Sequence, residues 1–308
     1  MSSSAVSIAQ LWTYPVKSCA GISMLASPLT ETGLEWDRAW MVVDAKGQAL
    51  TQRQLPAMAL IQTRIRLSDI QLKAPGMLGL HLSMNEVEKP MSVNVWGDTV
   101  PAYDMGDLAS QWLCDFLGQT ERGQSLLKVR GPCRLVRFDP EHARASQAEW
   151  TGDVKALNQF SDGFPLLVVS EASLAELNRR MVEAGHDPVG MERFRPNLVL
   201  SGLSAHEEDQ LSSLHMDLEG HSVTIQLVKP CGRCSIPDVN PQTGEFDDAV
   251  GQVLASYRQD VGLKGEITFG MNAIVTQGLV AVDSEEAEPV LRVSQAVTVI
   301  RTEVPAPG

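Results

Sequence analysis

Short apolar runs, each closed by turn residues, dominate the first third of this sequence. Runs such as IAQLWTYPV, RAWMVVDA, LIQTRIRL, GLHLSM and MSVNVWG follow one another between residues 8 and 100, separated by clusters of Gly, Pro, Asp and Asn. Short runs rich in β-branched and aromatic residues, broken by turn residues, are typical of strands in a small sheet or barrel. The sequence therefore predicts a β-barrel-like N-terminal unit.

One helix is predicted to close this unit. In DLASQWLCDFLG, apolar residues recur at spacings of three and four between Leu108 and Phe116. Asp107 is available as a cap and Gly118 as a stop. The hydrophobic period therefore changes here from strand to helix.

The chain is long enough for two domains. It has 308 residues, and a domain usually takes about 100 to 200. Residues 119–132 are polar and contain glycine, which favours a connection between folded units. We place the boundary there and predict one domain over residues 1–125 and a second over residues 126–308.

The second half is again rich in strand patterns, with one clear helix. FPLLVV at residues 164–169 predicts a buried strand leading into a helix, with a capping-box pattern at Ser173 and Glu176 and with Gly185 at its end. CRLVRF, NLVLSGL, HSVTIQLV, NAIVTQGLVAV and LRVSQAVTVI predict further strands. The predicted fold class is β-rich α+β in two parts, with few helices.

Composition excludes several classes of protein. Acidic residues outnumber basic ones by 38 to 25, and the net charge of -13 repels nucleic acid and anionic membrane surfaces. The N-terminus lacks the features of a secretory signal, and no apolar run approaches the roughly 18 residues that span a bilayer. Five scattered cysteines do not form the dense framework of a disulfide-rich secreted protein. We expect a cytoplasmic protein with no nucleic-acid and no membrane partner.

Two cysteines flank a glycine and an arginine in KPCGRCSIPDVNPQTGE. Cys231 and Cys234 lack the second pair of ligands that a structural zinc site needs at regular spacing. A thioredoxin-type pair would open a helix, but the prolines and glycine that follow cannot begin a long one. Two buried cysteines acting as small hydrophobes would not explain the neighbouring Lys229 and Arg233. A remaining interpretation makes one sulfur the ligand of a soft metal that is attached to an organic cofactor.

An anionic cofactor requires cations elsewhere, and three stretches supply them. YPVKSCAG places Lys17 and Ser18 directly after a strand. EWDRAWMVVD places Arg38 at the start of an apolar strand, and RFRPNLVL does the same with Arg195, two residues before Asn197. Most arginines are surface residues with a solvated head. The combination of the three stretches, rather than any one of them, predicts an anion site.

These stretches resemble a known family. LWTYPVKSCAGI, GLEWDRAWMVVD and LTQRQLPAMALI resemble the N-terminal β-barrel domain that accompanies MOSC domains. SDGFPLLVVSEASLAELN, RFRPNLVLSG, EEDQL, KPCGRCSIPDVNPQTGE and FGMNAIV resemble the MOSC domain itself. The resemblance extends over nearly the whole chain, and by pattern it is to bacterial YcbX-type proteins and mitochondrial amidoxime-reducing components. It implies a molybdenum cofactor, Mo-molybdopterin, and the reduction of N-hydroxylated small molecules.

The resemblance also implies roles for individual residues. Cys234 matches the thiolate that binds molybdenum, and Cys231 matches a position that is often cysteine without being the ligand. Phe164 replaces a small polar residue, so the resemblance extends only to its backbone. Positions matching contacts to the cofactor are Lys17, Ser18, Arg38, Asp162, Gly163, Phe164, Arg195, Asn197, Gly232, Arg233, Cys234 and Asn272.

Two departures from the family pattern matter. Relatives commonly read T-V-D-P after the cysteine pair, whereas here Asp238 comes two residues before the position of that acid and Asn240 occupies it. On a strand both positions share a face, so Asp238 is the candidate catalytic proton relay, with a loop-forming role as the alternative. Some bacterial relatives also carry a C-terminal ferredoxin-type domain, which this sequence lacks. We therefore expect an external redox donor protein of the ferredoxin, flavoprotein or cytochrome type.

Two other functions stay open at this point. The resemblance also allows a sulfur or cofactor carrier that holds a persulfide on Cys234. A stand-alone thiol oxidoreductase would instead require Cys231 to be as important as Cys234.

Overall fold

The structure is a computed structural model and describes residues 5–84, 89–281, 284 and 286–302. Its strands are β1 (Ser7–Thr13), β2 (Ile22–Met24), β3 (Ala26–Thr30), β4 (Gly33–Leu34), β5 (Trp40–Val43), β6 (Gln62–Ile65), β7 (Asp69–Lys73), β8 (Leu80–Ser83), β9 (Lys89–Val95), β10 (Asp98–Asp104), β11 (Arg134–Phe138), β12 (Leu166–Ser170), β13 (Leu198–Ser201), β14 (Leu211–Leu218), β15 (His221–Gly232), β16 (Gln259–Asp260), β17 (Glu266–Gln277), β18 (Val290–Arg292) and β19 (Thr298–Arg301). Its α-helices are α1 (Asp107–Leu117), α2 (Glu121–Arg130), α3 (Ala148–Thr151), α4 (Glu171–Glu183) and α5 (Ala249–Ala255). Short 3₁₀ helices cover Pro56–Leu60, Met191–Arg193, Glu207–Gln210 and Ile236–Asp238.

Nine strands form the largest sheet. Eight of them follow the order β19-β14-β15-β17-β12-β13-β1-β2, and β16 pairs with β17. Within the described residues, β12 and β13 make the parallel pair of this sheet, and its other pairs are antiparallel. Smaller sheets have the orders β5-β11-β10-β9, β18-β3-β4 and β6-β7-β8. The predicted fold class, β-rich α+β with few helices, is confirmed.

Strand pairing joins distant parts of the chain. The first strand, β1, pairs with β13, so that Leu11 lies opposite Leu198. In the other direction, β11 pairs with β5 and β10 of the first half. The division into residues 1–125 and 126–308 stays a prediction, and strand pairs cross it both ways.

Apolar residues of the large sheet pack on both of its faces. Along β12, Leu166 and Val168 join one core cluster, whereas Leu167 and Val169 join a second cluster that includes residues of α4 and α5. This alternation follows from the two-residue period of a strand. A further core, which includes Trp40 and side chains of α1, lies in the first half of the chain.

The predicted helices are largely confirmed, with corrections at their ends. Helix α1 covers the predicted segment and its C-cap is Gly118, although its N-cap is Gly106 rather than Asp107. Helix α2 occupies a stretch that the sequence predicted to be a polar connection. It begins at a capping threonine, and its apolar content is too low to give a periodic signal.

The start of α4 differs from the predicted capping box. Its N-cap is Ser170, whose side chain accepts a hydrogen bond from the Ser173 amide at 3.1 Å. Ser173 lies within the first turn, and its hydroxyl donates to the buried carboxylate of Glu208 at 2.6 Å. The capping-box assignment of Ser173 and Glu176 was therefore wrong, because the serine three residues earlier already provides the cap.

Two predictions extend beyond the described part of the chain. The segment predicted to lack a secretory signal begins with residues 1–4, and the run NAIVTQGLVAV ends at Val282. These residues lie outside the described ranges. Among the residues that are described, no helix combines the length and apolar character needed to cross a bilayer.

Gly270 is the point at which β17 changes its packing. Phe269 belongs to the apolar cluster beside α4 and α5, whereas Met271 and Ala273 belong to the cluster on the opposite face. The switch requires a backbone φ of +78° at Gly270, which glycine adopts without strain. An added Cβ would lie 2.7 Å from the Val168 carbonyl oxygen. The residue therefore permits both the turn in β17 and its close approach to β12.

We predict that Gly270→Ala destabilises the fold more than Gly220→Ala does. Gly220 has a φ of +81° in the hairpin between β14 and β15, and within the described residues no atom beyond its chain neighbours lies within 4 Å of an added Cβ there. Both substitutions force alanine into the left-handed region at a cost of about 1 kcal/mol. At Gly270 the clash adds about 1–3 kcal/mol. Urea denaturation measures both free energies of unfolding, and equal losses would contradict this account.

Candidate functional site

All of the residues that the sequence assigned to a cofactor line one cleft. Its cavity volume is about 120 Å³. The cleft brings together Lys17, Ser18, Arg38, Asp162, Gly163, Phe164, Arg195, Asn197, Gly232, Arg233, Cys234 and Asn272. Their individual roles stay predictions, but the structure places them at a single surface.

The fold explains why they meet. Lys17 and Ser18 lie in the loop after β1, while Arg195 and Asn197 directly precede β13, which pairs with β1. The loops before β12 and after β15 supply most of the remainder, and β12, β15 and β17 are neighbours in the same sheet. The site is therefore built mainly from the ends of neighbouring strands in the interior of the large sheet, and Arg38 is added from the segment before β5 of another sheet.

Lys17 is a buried cation with a direct partner. Its side chain is 7% exposed, and Nζ donates to Asp162 Oδ1 at 2.5 Å and to the Phe160 carbonyl oxygen at 2.7 Å. Burial lowers the pKa of Lys17, and the nearby Asp162 carboxylate opposes that shift. The ion pair connects the loop after β1 to the loop before β12.

Two arginines lie over the ring of Tyr14. The guanidinium carbons of Arg38 and Arg195 are 4.4 and 4.3 Å from the ring centroid, a distance typical of cation–π contacts. Arg38 also forms an ion pair with Asp37 and donates to the Arg195 carbonyl oxygen at 3.1 Å. Both arginines have positive φ values, 53° and 57°. Strained backbone of this kind occurs frequently at functional sites.

One hydrogen-bond donor of Arg195 has no partner among the described residues. Its Nη1 donates to the Cys19 carbonyl oxygen at 2.6 Å, whereas Nη2 is buried and has no partner among the described residues. Burial, followed by the positive charge of Arg38, lowers the pKa of Arg195 to about 10. An unpaired buried guanidinium nitrogen is costly. The local chemistry therefore favours an anionic group in the cleft beside Arg195.

Asn197 and Arg233 hold the walls of the cleft. The Asn197 side-chain oxygen accepts from the Leu167 amide at 3.1 Å, and its nitrogen donates to the Trp12 carbonyl oxygen at 3.2 Å. Arg233 directs its guanidinium at the carbonyl oxygens of Phe194 and Phe269. Both side chains therefore make their main polar contacts with the protein itself.

The two cysteines of the pair have different surroundings. Cys231 is half-buried against the apolar cluster beside α4 and α5, and burial raises its pKa. Both cysteines line the cleft, but Cys234 is the exposed one. Within the described ranges, no three His, Cys, Asp or Glu side chains are grouped to hold a metal ion. A metal held here by protein alone would thus lack the usual ligand set.

Asp238 does not line this cleft. It lies in the 3₁₀ turn Ile236–Asp238 rather than on a strand, so the predicted strand geometry was wrong. Its side chain is buried, and Oδ1 accepts a hydrogen bond at 2.8 Å from the amide of Gly251 in α5. Burial raises the pKa of Asp238. The contact is that of a cap for α5, and the proton-relay role stays a prediction.

Sequence analysis missed several residues that line the cleft, among them Thr51, Trp96 and Arg193. Arg193 donates to the Pro237 carbonyl oxygen at 3.0 Å, next to the segment that carries Cys234. Trp96 lies at a hairpin tip, and its indole nitrogen donates to Asp162 Oδ1 at 2.8 Å. The available signal was the dipeptide Trp-Gly in VNVWGDTV, in which a bulky residue occupies a turn position.

Comparisons with known proteins match two domain models over most of the chain. Residues 5–120 match the MOSC N-terminal beta barrel domain, and residues 155–296 match the MOSC domain. Mitochondrial amidoxime reducing component 2 of Bos taurus is 34% identical over 260 residues, covering 82% of this chain and 72% of that protein. Mitochondrial amidoxime-reducing component 1 of Homo sapiens is 33% identical over 265 residues, with the same two coverages. Molybdenum cofactor sulfurase of Homo sapiens is 28% identical over 284 residues, covering 86% of this chain and 29% of that protein.

We predict that Asp238→Asn keeps the fold and removes a pH-dependent loss of stability. The amide oxygen can still accept from Gly251, whereas Asp238→Ala removes the acceptor and costs about 1 kcal/mol. Because the folded-state pKa of Asp238 is raised, its stabilising contribution is complete below the unfolded pKa and is lost as pH rises through the folded one. Urea denaturation from about pH 4 to about pH 7 should show the wild type losing stability relative to Asp238→Asn. If the free energies of unfolding of the wild type and Asp238→Asn changed in parallel with pH, the account of Asp238 as a buried cap with a raised pKa would be contradicted.

Proposed function

Because the chain belongs to the MOSC family, with a MOSC N-terminal β-barrel domain ahead of a MOSC domain, we propose that it is a molybdenum-cofactor-dependent reductase of N-hydroxylated small molecules. The observation that carries the proposal is the cleft, in which the exposed thiol of Cys234 lies in the same lining as Lys17, Arg38 and Arg195. The names of the amidoxime-reducing relatives support the same reaction class.

The donor set of the cleft fits an anionic cofactor that carries a soft metal. The buried Nη2 of Arg195 has no partner in the described part of the chain, and a phosphate oxygen would supply the missing acceptor. A thiolate is the soft protein ligand that such a metal prefers. A metal delivered on its own organic scaffold also needs few protein ligands, which matches a cleft that offers one exposed thiol.

Each group of residues has a distinct task in this proposal. Cys234 would bind the metal, and Lys17, Arg38 and Arg195 would offset the phosphate charge. Gly163 lines the cleft, and among the residues that the structure describes none beyond its chain neighbours lies within 4 Å of an added Cβ there. Contacts to the planar part of the cofactor would come from residues 162–164, Gly232 and Asn272. When bound, the cofactor supplies a metal centre that exchanges two electrons.

The overall reaction converts an N-hydroxylated compound, two electrons and two protons into the amine or amidine and water. Electrons would come from an external redox donor protein of the ferredoxin, flavoprotein or cytochrome type. The protein's part is to hold the reacting groups in position and to polarise them. Arg233 fixes the loop that carries Cys234 by binding two backbone carbonyls, and the Lys17–Asp162 ion pair joins the loop after β1 to the loop before β12.

A carrier function is the second candidate. The similarity to molybdenum cofactor sulfurase and the exposure of Cys234 are compatible with a persulfide on this cysteine. Metal content separates the two functions. Protein from a molybdenum-sufficient host holds molybdenum if it is the reductase, and holds sulfane sulfur on Cys234 without metal if it is the carrier.

We predict that Cys234→Ala abolishes molybdenum binding and reductase activity, whereas Cys231→Ala retains both. Loss of the metal ligand should lower hydroxylamine reduction by an artificial donor by about two orders of magnitude or more. Cys231 packs against apolar side chains, so its truncation should leave activity within about threefold. Elemental analysis and anaerobic turnover measure the two quantities. Equal losses in both variants would favour a thiol oxidoreductase and overturn the proposal.

A further inference from the structure

A tryptophan occupies a turn position that disfavours it. Residues Trp96 and Gly97 form the two-residue loop between β9 and β10, in which Val95 pairs with Asp98. Their φ values are 54° and 97°, so both central residues have the left-handed backbone of a type I′ turn. Asparagine or aspartate is favoured at the first of these positions, and a bulky residue with positive φ is an outlier. Turn formation therefore does not explain why the residue is tryptophan.

The side chain of Trp96 bridges the two halves of the chain at the cleft. Its indole nitrogen donates to Asp162 Oδ1 at 2.8 Å, and the same oxygen accepts from Lys17 Nζ at 2.5 Å. The guanidinium of Arg53 lies over the indole ring at 4.2 Å, and Lys17 Nζ is 5.6 Å from the ring centroid. Trp96 is 48% exposed and lines the cleft. It thus forms an outer wall beside the Lys17–Asp162 pair.

Arg53 provides a second unexplained feature at this wall. Its Nε is buried and has no partner in the described part of the chain. Its guanidinium packs on Trp96, which faces the cleft. The wall therefore carries both a strained aromatic residue and a cation with a free donor, and neither is accounted for by folding alone.

We propose that Trp96 is a positioning residue that closes the cleft over an anionic cofactor. Through Asp162 it holds Lys17 in place, and with Arg53 stacked on its ring it narrows the route by which the cofactor leaves. This inference rests on the proposed function, since the cofactor is the ligand whose release is slowed. Tryptophan at position 96 strains the backbone of the hairpin tip. Its long side chain reaches Asp162, which the shorter asparagine side chain would not.

The test separates stability from ligand retention. In cofactor-free protein, Trp96→Asn should leave the melting temperature equal to that of the wild type or higher, because asparagine suits the turn. In protein loaded in a molybdenum-sufficient host, the same variant should lose molybdenum and pterin on the order of tenfold faster during timed dialysis. Trp96→Phe keeps a ring without the N–H donor and should release at an intermediate rate.

Leu67→Asn is the matched control. Leu67 is a fully exposed apolar residue in the connection between β6 and β7, and its substitution should change neither property. Equal release rates for wild type and Trp96→Asn would overturn the inference. So would a marked fall in the melting temperature of cofactor-free Trp96→Asn, because the role would then be structural. Wild-type protein without molybdenum and pterin would overturn the proposed function, and this inference with it.

Discussion

The antiparallel pairing of β1 with β13 is the constraint on which the cleft depends. It places the loop after β1, which carries Lys17, beside the segment that leads into β13. Asn197 strengthens the junction, because its side chain binds the Trp12 carbonyl oxygen and the Leu167 amide. Arg38 then reaches the same asparagine oxygen at 3.3 Å. The site is consequently a property of the whole chain, and neither half could assemble it alone.

Burying several cations in one cleft is unfavourable unless each of them has a partner. Lys17 has Asp162, and Arg38 has Asp37. Arg195 has a backbone carbonyl and the Tyr14 ring, but one of its nitrogens is left over. The protein's net charge of -13 does little to relieve this cost, because exposed charges beyond a Debye length are screened. The unpaired donor of Arg195 is a local excess of positive charge, and an anion bound in the cleft would neutralise it.

The sequence predicted most of the fold and the membership of the cleft, and its failures have physical causes. Strands were predictable because alternation and turn residues are local signals, as in the buried run that became β12. Helix α2 was missed because Gly123 is its single fully buried residue. Its Leu126 and Leu127 pack only partly against the core of the first half, and the Thr120 cap and charged ends add to its stability. Asp238 was misplaced because the prediction assumed a strand where the chain forms the 3₁₀ turn Ile236–Asp238, which contains Pro237. Trp96 was missed because its partners, Asp162 and Arg53, are distant in sequence.

Residues that look equivalent in sequence have different tasks in the structure. Arg195 and Arg233 were both assigned to a cofactor, yet Arg233 is satisfied by two carbonyl oxygens while Arg195 retains a free donor. Cys231 and Cys234 are three residues apart, but one packs against apolar side chains and the other faces solvent. In each pair the difference arises from groups on remote loops, which no local pattern encodes. The chemistry of the cleft is therefore set by which donors the protein leaves unsatisfied, more than by how many cations line it.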